Sequence, residues 1–278
     1  MCRCRTASTS AGRAAVIGGR SSPIILRTYS DERRSVAEEL IDFDRKLAAM
    51  FSAPPKVPGS AAGQGVDPAE FQKYFARQLR FTAGMETRYG RSILTGESTH
   101  QHLAAGLTIG ARFHSAPVIR LADAKPVHLG HAARADGRWR LYAFADAERP
   151  DAPSSRLRAL CEFLAGSDRS PVRNYTPPGA DADSTIDVRA VFQQGHRELA
   201  IEAMPSLLLP AKGRYGLRDY EKIYCPDPKS GDIFDLRGVN RKEGCIVLVR
   251  PDQYVAHVLP LAAFAELGAF FDGFMLAP

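Results

Sequence analysis

At 278 residues, 45% of them apolar, the chain has room for one large domain or two small ones and for a sizeable core. No uninterrupted apolar run approaches the ~20 residues of a membrane span, and the most apolar stretch, 262–276, is broken by Glu266 and Asp272, so a spanning helix is excluded. The formal charge of +6 is concentrated at one end: residues 1–34 hold seven arginines against Asp31 and Glu32, and the remaining body lacks the basic face that nucleic-acid binding requires.

The first 22 residues are rich in Arg, Ser and Ala and lack acids, a composition shared with organellar transit peptides. Residues 29–51 read as one amphipathic helix. Val36, Leu40, Phe43, Leu47 and Met50 fall on one face, Ser30 is placed to cap it, and Asp31 and Glu32 suit its first turn. A run of Pro, Gly and Ser, SAPPKVPGSAAGQG, then ends any helix and reads as a linker or surface loop. Asp67-Pro68 opens a second helical pattern, with Phe71, Phe75 and Leu79 four apart as its apolar stripe.

From about Arg112 the texture becomes that of strands. Residues 139–145 form an apolar, β-favouring run bounded by Asp136-Gly137 and Asp146. A helix is expected over 154–165, with Leu157, Leu160, Cys161 and Leu164 on one face. Strands are expected at 187–192 and 245–250, and a mostly apolar helix at 260–271. The excursion 196–244 is longer than an ordinary connection, which predicts a short helix and an interface surface within it. The order of elements is that of a layered α/β domain.

Motifs that carry chemistry are sparse. His100 and His102 could share one side of a strand, and His128 and His131 could meet across a helical turn, yet each pair is half a metal site without an evident third ligand. Structural, hydrogen-bonded histidine is the simpler reading. Cys2, Cys4, Cys161, Cys225 and Cys245 are odd in number and irregular in spacing, which fits reduced thiols in a cytoplasmic protein. Gly63-Gln64-Gly65 matches a flavin-contacting turn in miniature, but it follows the long helix instead of preceding it and lies among linker residues. No dinucleotide fingerprint, P-loop, nucleophile elbow or HExxH occurs, so no catalytic, cofactor-binding or metal residue is assigned.

Three strings carry a resemblance: RTYSDERRSVAEELIDFDRKLAAMFSA at 27–53, ADAKPVHLGHAARADGRWRLYAFAD at 122–146 and RPDQYVAHVLPL at 250–261. They resemble the carboxy-terminal half of the phenol 2-monooxygenase and 3-hydroxybenzoate 4-monooxygenase family of flavin-dependent aromatic hydroxylases. The likeness runs from about Ala14 to the end. It implies that 14–53 is a helical remnant of the FAD-binding domain and that 54–111 is linker and remnant of the substrate domain. Residues 112–278 would be a thioredoxin-like dimerisation domain, redox-inactive because Cys161 stands alone within its helix.

The intact family uses FAD and NADPH to transfer one oxygen atom to a phenolic substrate, the flavin supplying the chemistry and the protein the register and the exclusion of water. The fragment alone is expected to hold neither cofactor, to be inactive, and to form a homodimer without nucleic-acid or membrane partners. Residues 1–13 depart from the family. Writing a family-like NVSMQDSFNLGWK with GC-rich codons and reading from its second base reproduces MCRCRTASTSAG, which implies an out-of-frame start. The alternative reading is a stand-alone scaffold that associates and does no chemistry. A helix 29–51 packed on 67–95 favours that scaffold, whereas bare apolar surface around Val36, Leu40 and Leu47 favours a lost flavin domain.

Overall fold

The computed structural model describes residues 4–54 and 65–278. The segment read as out of frame therefore begins outside the described residues. So does most of the Pro- and Gly-rich linker, including Gly63 and Gln64. Three helices come first: α1 (Cys4–Ile17), α2 (Ile25–Ser52) and α3 (Pro68–Thr82).

Helix α2 starts earlier than its periodicity suggests. Its cap position is Ile24, without a side-chain hydrogen bond, so Ser30 lies inside the helix and caps nothing. Thr28, Glu32, Val36 and Phe43 are buried, whereas Leu40 and Leu47 are only half-buried. Helix α3 begins as predicted, with the Asp67 carboxylate accepting from the Ala69 amide at 2.8 Å and proline in the first turn.

The predicted stripe of α3 is a correction. Phe75 and Leu79 are exposed, and the inner face is Phe71, Tyr74, Gln78 and Phe81. A helix repeats every 3.6 residues, so either set satisfies the spacing; aromatic stacking decides between them. Phe43 lies parallel to Tyr74 with centroids 4.5 Å apart and to Phe81 at 6.2 Å, and the Tyr74 hydroxyl donates to the Phe43 carbonyl at 3.1 Å. Burying Phe43 contributes about 2–3 kcal/mol to joining the two helices.

The body is a mixed sheet. Its strands are β1 (Pro117–Arg120), β2 (Lys125–His128), β3 (Trp139–Phe144), β4 (Ile186–Val191), β7 (Ile223–Pro226), β8 (Cys245–Val249) and β9 (Val255–Leu259). A separate hairpin pairs β5 (Ala211–Lys212) with β6 (Leu217–Arg218). The main sheet runs β2-β1-β7-β4-β3-β8-β9, with β3, β4 and β7 mutually parallel and the outer pairings antiparallel. Four helices complete the fold: α4 (Arg156–Gly166), α5 (Pro171–Tyr175), α6 (Ile233–Leu236) and α7 (Phe264–Asp272).

Both faces of the sheet are covered, which explains why β3, β4 and β8 are buried along their whole length. Leu141 and Ala143 face α4 and α7, in a core with Leu157, Leu160, Leu164 and Phe271. Tyr142 and Phe144 point the other way, onto Phe113 at 4.7 Å and Phe234 at 5.7 Å. The expected α/β layering, the strands at 139–145, 187–192 and 245–250 and the helix at 154–165 are all present. The excursion 196–244 holds the short helix α6 and also a central strand, β7, which its composition did not announce.

Candidate functional site: buried ion networks and the surfaces they hold

Two charge networks lie inside the molecule. The first centres on Arg250, directly after β8, with its side chain 4% exposed. Its guanidinium donates to Glu32 of α2 at 2.5 and 3.0 Å, to Asp252 at 3.1 and 2.9 Å, and to the Thr95 hydroxyl at 3.4 Å. The Tyr89 ring sits 5.2 Å from the guanidinium carbon. Burial works against the charge, and the carboxylates of Asp252 and Glu32 overcome it, holding Arg250 above its ordinary range. A cavity of about 150 Å³ opens beside it, lined by Thr28, Tyr29, Glu32 and Leu94. Every N–H of Arg250 is already committed, so the arginine has no donor left for the carboxylate of an aromatic acid.

The second network lies where β3 and β4 begin. Asp187 is ion-paired to Lys222 and to Arg189 at 2.9 Å, with Arg140 Nε at 3.1 Å but not aligned as a hydrogen bond. Asp183 takes Lys222 at 2.6 Å, Lys212 at 2.7 Å and Arg138 at 2.9 Å. Asp136 adds a carboxylate to Arg138 and Arg140, and Asp219 adds one to Lys212. Burial alone would raise Asp183 and Asp187; Lys222 and Lys212 reverse this at Asp183, and Arg189, Lys222 and Arg140 reverse it at Asp187, so both lie below the usual carboxylate range. This network occupies the amino ends of the parallel strands. In open α/β sheets ligands gather at the carboxyl ends, so its role is to lock strands together.

At the carboxyl ends, the turn from β3 into α4 is where a phosphate or a reactive dithiol would be placed in such a layout. Here the buried Asp146 carboxylate accepts from the Arg156 amide at 2.9 Å and fills that position. A carboxylate there repels a pyrophosphate, and no glycine-rich turn is present, so these residues do not fit the phosphates of FAD. Nor do the described thiols fit redox chemistry. Cys161, Cys225 and Cys245 are buried, and burial pushes Cys161 and Cys225 up to about 12 and Cys245 higher still.

The histidine pairs remain pairs. His100 precedes a 3-10 turn and His102 lies within it, where a strand was expected; their centroids are 6.4 Å apart, and His100 faces Glu266 at 3.4 Å. His128 and His131 do meet across a turn, at 5.2 Å. Among the described residues no three His, Cys, Asp or Glu side chains converge as a metal site. The same residues hold no helix long and apolar enough to cross a membrane.

What the networks do position is surface. Lys212, tied to Asp183 and Asp219, anchors the β5–β6 hairpin, whose Tyr215 is 71% and Leu217 69% exposed. A groove between α4 and residues 202–207 has a volume of about 580 Å³. A surface of this kind is what an association domain needs. A protein-family model described as phenol hydroxylase, C-terminal dimerisation domain, matches residues 87–278.

The chain belongs to that family. It is 55% identical over 266 residues to a 3-hydroxybenzoate 4-monooxygenase of Comamonas testosteroni, covering 95% of this chain and 41% of the relative. It is 35% identical over 268 residues to an FAD-dependent monooxygenase of Aspergillus terreus, covering 94% of this chain and 43% of the relative. The chain thus spans about two fifths of the length of these curated relatives. Among solved structures, an aklavinone-11 hydroxylase in complex with FAD and aklavinone aligns with 97% of this chain and 38% of its own, at 17% identity and a TM-score of 0.49.

Proposed function

We propose that this chain supplies the carboxy-terminal association scaffold of an FAD- and NADPH-dependent monooxygenase that hydroxylates a phenolic aromatic acid of the 3-hydroxybenzoate type, and that it does no chemistry alone. The observation that carries this reading is the match of residues 87–278 to a dimerisation domain, joined to a 55% identity with a 3-hydroxybenzoate 4-monooxygenase over 41% of that relative. The order β3-α4-β4, then β8-β9-α7, with β4-β3-β8-β9 adjacent, supports a thioredoxin-like core at 112–278 used as scaffold. Residues 14–53 then contribute the last helix of a flavin domain, and 54–111 part of a substrate domain.

The experiment is a flavin titration of the purified chain with an assay of NADPH oxidation in the presence of 3-hydroxybenzoate and phenol. The reading predicts no flavin retained through gel filtration and no substrate-stimulated oxidation. A bound flavin with turnover contradicts it.

A second reading, a free-standing scaffold, is favoured by the packing of Phe43 on Tyr74 and Phe81, which closes α2 onto α3 within this chain. Against it, Ile41, Phe51, Phe75 and Leu79 leave an exposed apolar face on the same two helices. A Phe75→Ser, Leu79→Ser variant separates the two. A gain in solubility favours an uncovered domain contact, and unchanged solubility favours the free-standing scaffold.

A further inference from the structure

We propose that the β5–β6 hairpin is a docking arm that seats in the groove between α4 and residues 202–207 of a second copy of this chain. The inference rests on the dimerisation reading above and names the surfaces that carry it.

The arm is rigid at its base and apolar at its tip. Lys212 is ion-paired at 2.7 Å to both Asp183 and Asp219, the Gly213 amide donates to Asp181 at 2.8 Å, and the Asp219 amide closes on the Pro210 carbonyl at 2.9 Å. Gly213 and Gly216, both with positive φ, make the turn. Exposure of Tyr215 and Leu217 is therefore a property of a fixed hairpin, and Tyr220 beside them is 43% exposed. Exposed aromatic and aliphatic groups on an anchored element mark a contact surface.

Charge selects the receiving groove. Arg214 lies over the Tyr215 ring at 4.4 Å, Arg218 bonds only the Leu209 carbonyl, and neither has a carboxylate partner among the described residues. The groove has an apolar floor of Met204, Pro205 and Leu207, and on its rim Glu202 has no cationic partner among the described residues. Glu162, also on the rim, is paired with Arg158 at 3.0 Å. An arm with two arginines that hydrogen-bond only neutral oxygens, the Tyr215 hydroxyl and the Leu209 carbonyl, and a groove with a carboxylate that has no cationic partner among the described residues are complementary. Two copies related by a two-fold axis exchange arms reciprocally, which closes the interface at two chains.

The test is light scattering after gel filtration at a few protein concentrations on four forms of the full chain: wild type, Tyr215→Ser with Leu217→Ser, Arg214→Glu, and Arg214→Glu with Glu202→Arg. The proposal predicts a dimeric wild type and a monomeric tip variant with unchanged circular dichroism. It also predicts about tenfold weaker association for Arg214→Glu, recovered in the charge-swapped pair. If the wild type dimerises and the tip and charge variants do so equally well, the arm is not the interface and the dimerisation reading stands. A wild type that is monomeric at every concentration overturns both. Should the tip variant fail to fold, the charge swap alone decides, because those side chains are on the surface.

Discussion

Arg250, the residue directly after β8, grips Glu32 of α2 through two nitrogens, at 2.5 and 3.0 Å, across 218 residues of sequence. That pair couples α2 to the sheet. Removing one partner of a buried pair leaves the other charge uncompensated, at a cost of ~3–5 kcal/mol. Asp252 still holds Arg250, so Glu32→Gln is expected at the low end, about 3 kcal/mol. Urea unfolding measures it, and a loss within error of zero contradicts the coupling.

The Asp183 and Asp187 carboxyls are held below their ordinary range in the fold. Their contribution is therefore complete above the unfolded value of ~3.9 and is lost as pH falls towards the folded values. Stability should be level from about pH 7 to 5 and decline below about 4. Lys222→Met removes the ammonium that both carboxylates share, so its acid transition should move to higher pH. An unchanged acid midpoint contradicts the assigned role.

Phe43→Ala deletes the ring that α3 stacks on. Large-to-small changes of buried Phe cost ~3–5 kcal/mol. Proteolysis should then cut within 68–82 before the sheet, since the Phe43 ring is the one on which Tyr74 and Phe81 of α3 stack. Cleavage first within the sheet contradicts this order.

Cys161, Cys225 and Cys245 should resist iodoacetamide in the native protein and react on unfolding, because burial holds their thiols protonated. Peptide mass mapping reads each site. Native labelling of Cys161 contradicts the redox-inert assignment.

Much of the layer structure was legible because it rests on local pattern. The runs that became β3, β4 and β8 are short, apolar and bounded by turn residues, and Ser155 caps α4 where the periodicity begins. Strand β7 was not legible: four residues ending in proline inside a polar stretch gain their place only from pairing with β4 and β1. The face of α3 was misread because Tyr74 and Phe81 were chosen by Phe43, a tertiary partner. The ion networks carried one faint signal. Arg140 and Asp187, opposite in sign, stand at the second position of two apolar strands that turn out to be parallel and in register. Glu32 carried none, since nothing local ties an exposed-looking acid in a helix to an arginine far down the chain.

Sedimentation equilibrium of the purified full chain tests the association-scaffold account most directly. The account predicts a mass of twice 30.3 kDa at micromolar concentration, unaffected by added FAD. A single 30.3 kDa species at every concentration, or a mass or absorbance that changes with bound flavin, contradicts it.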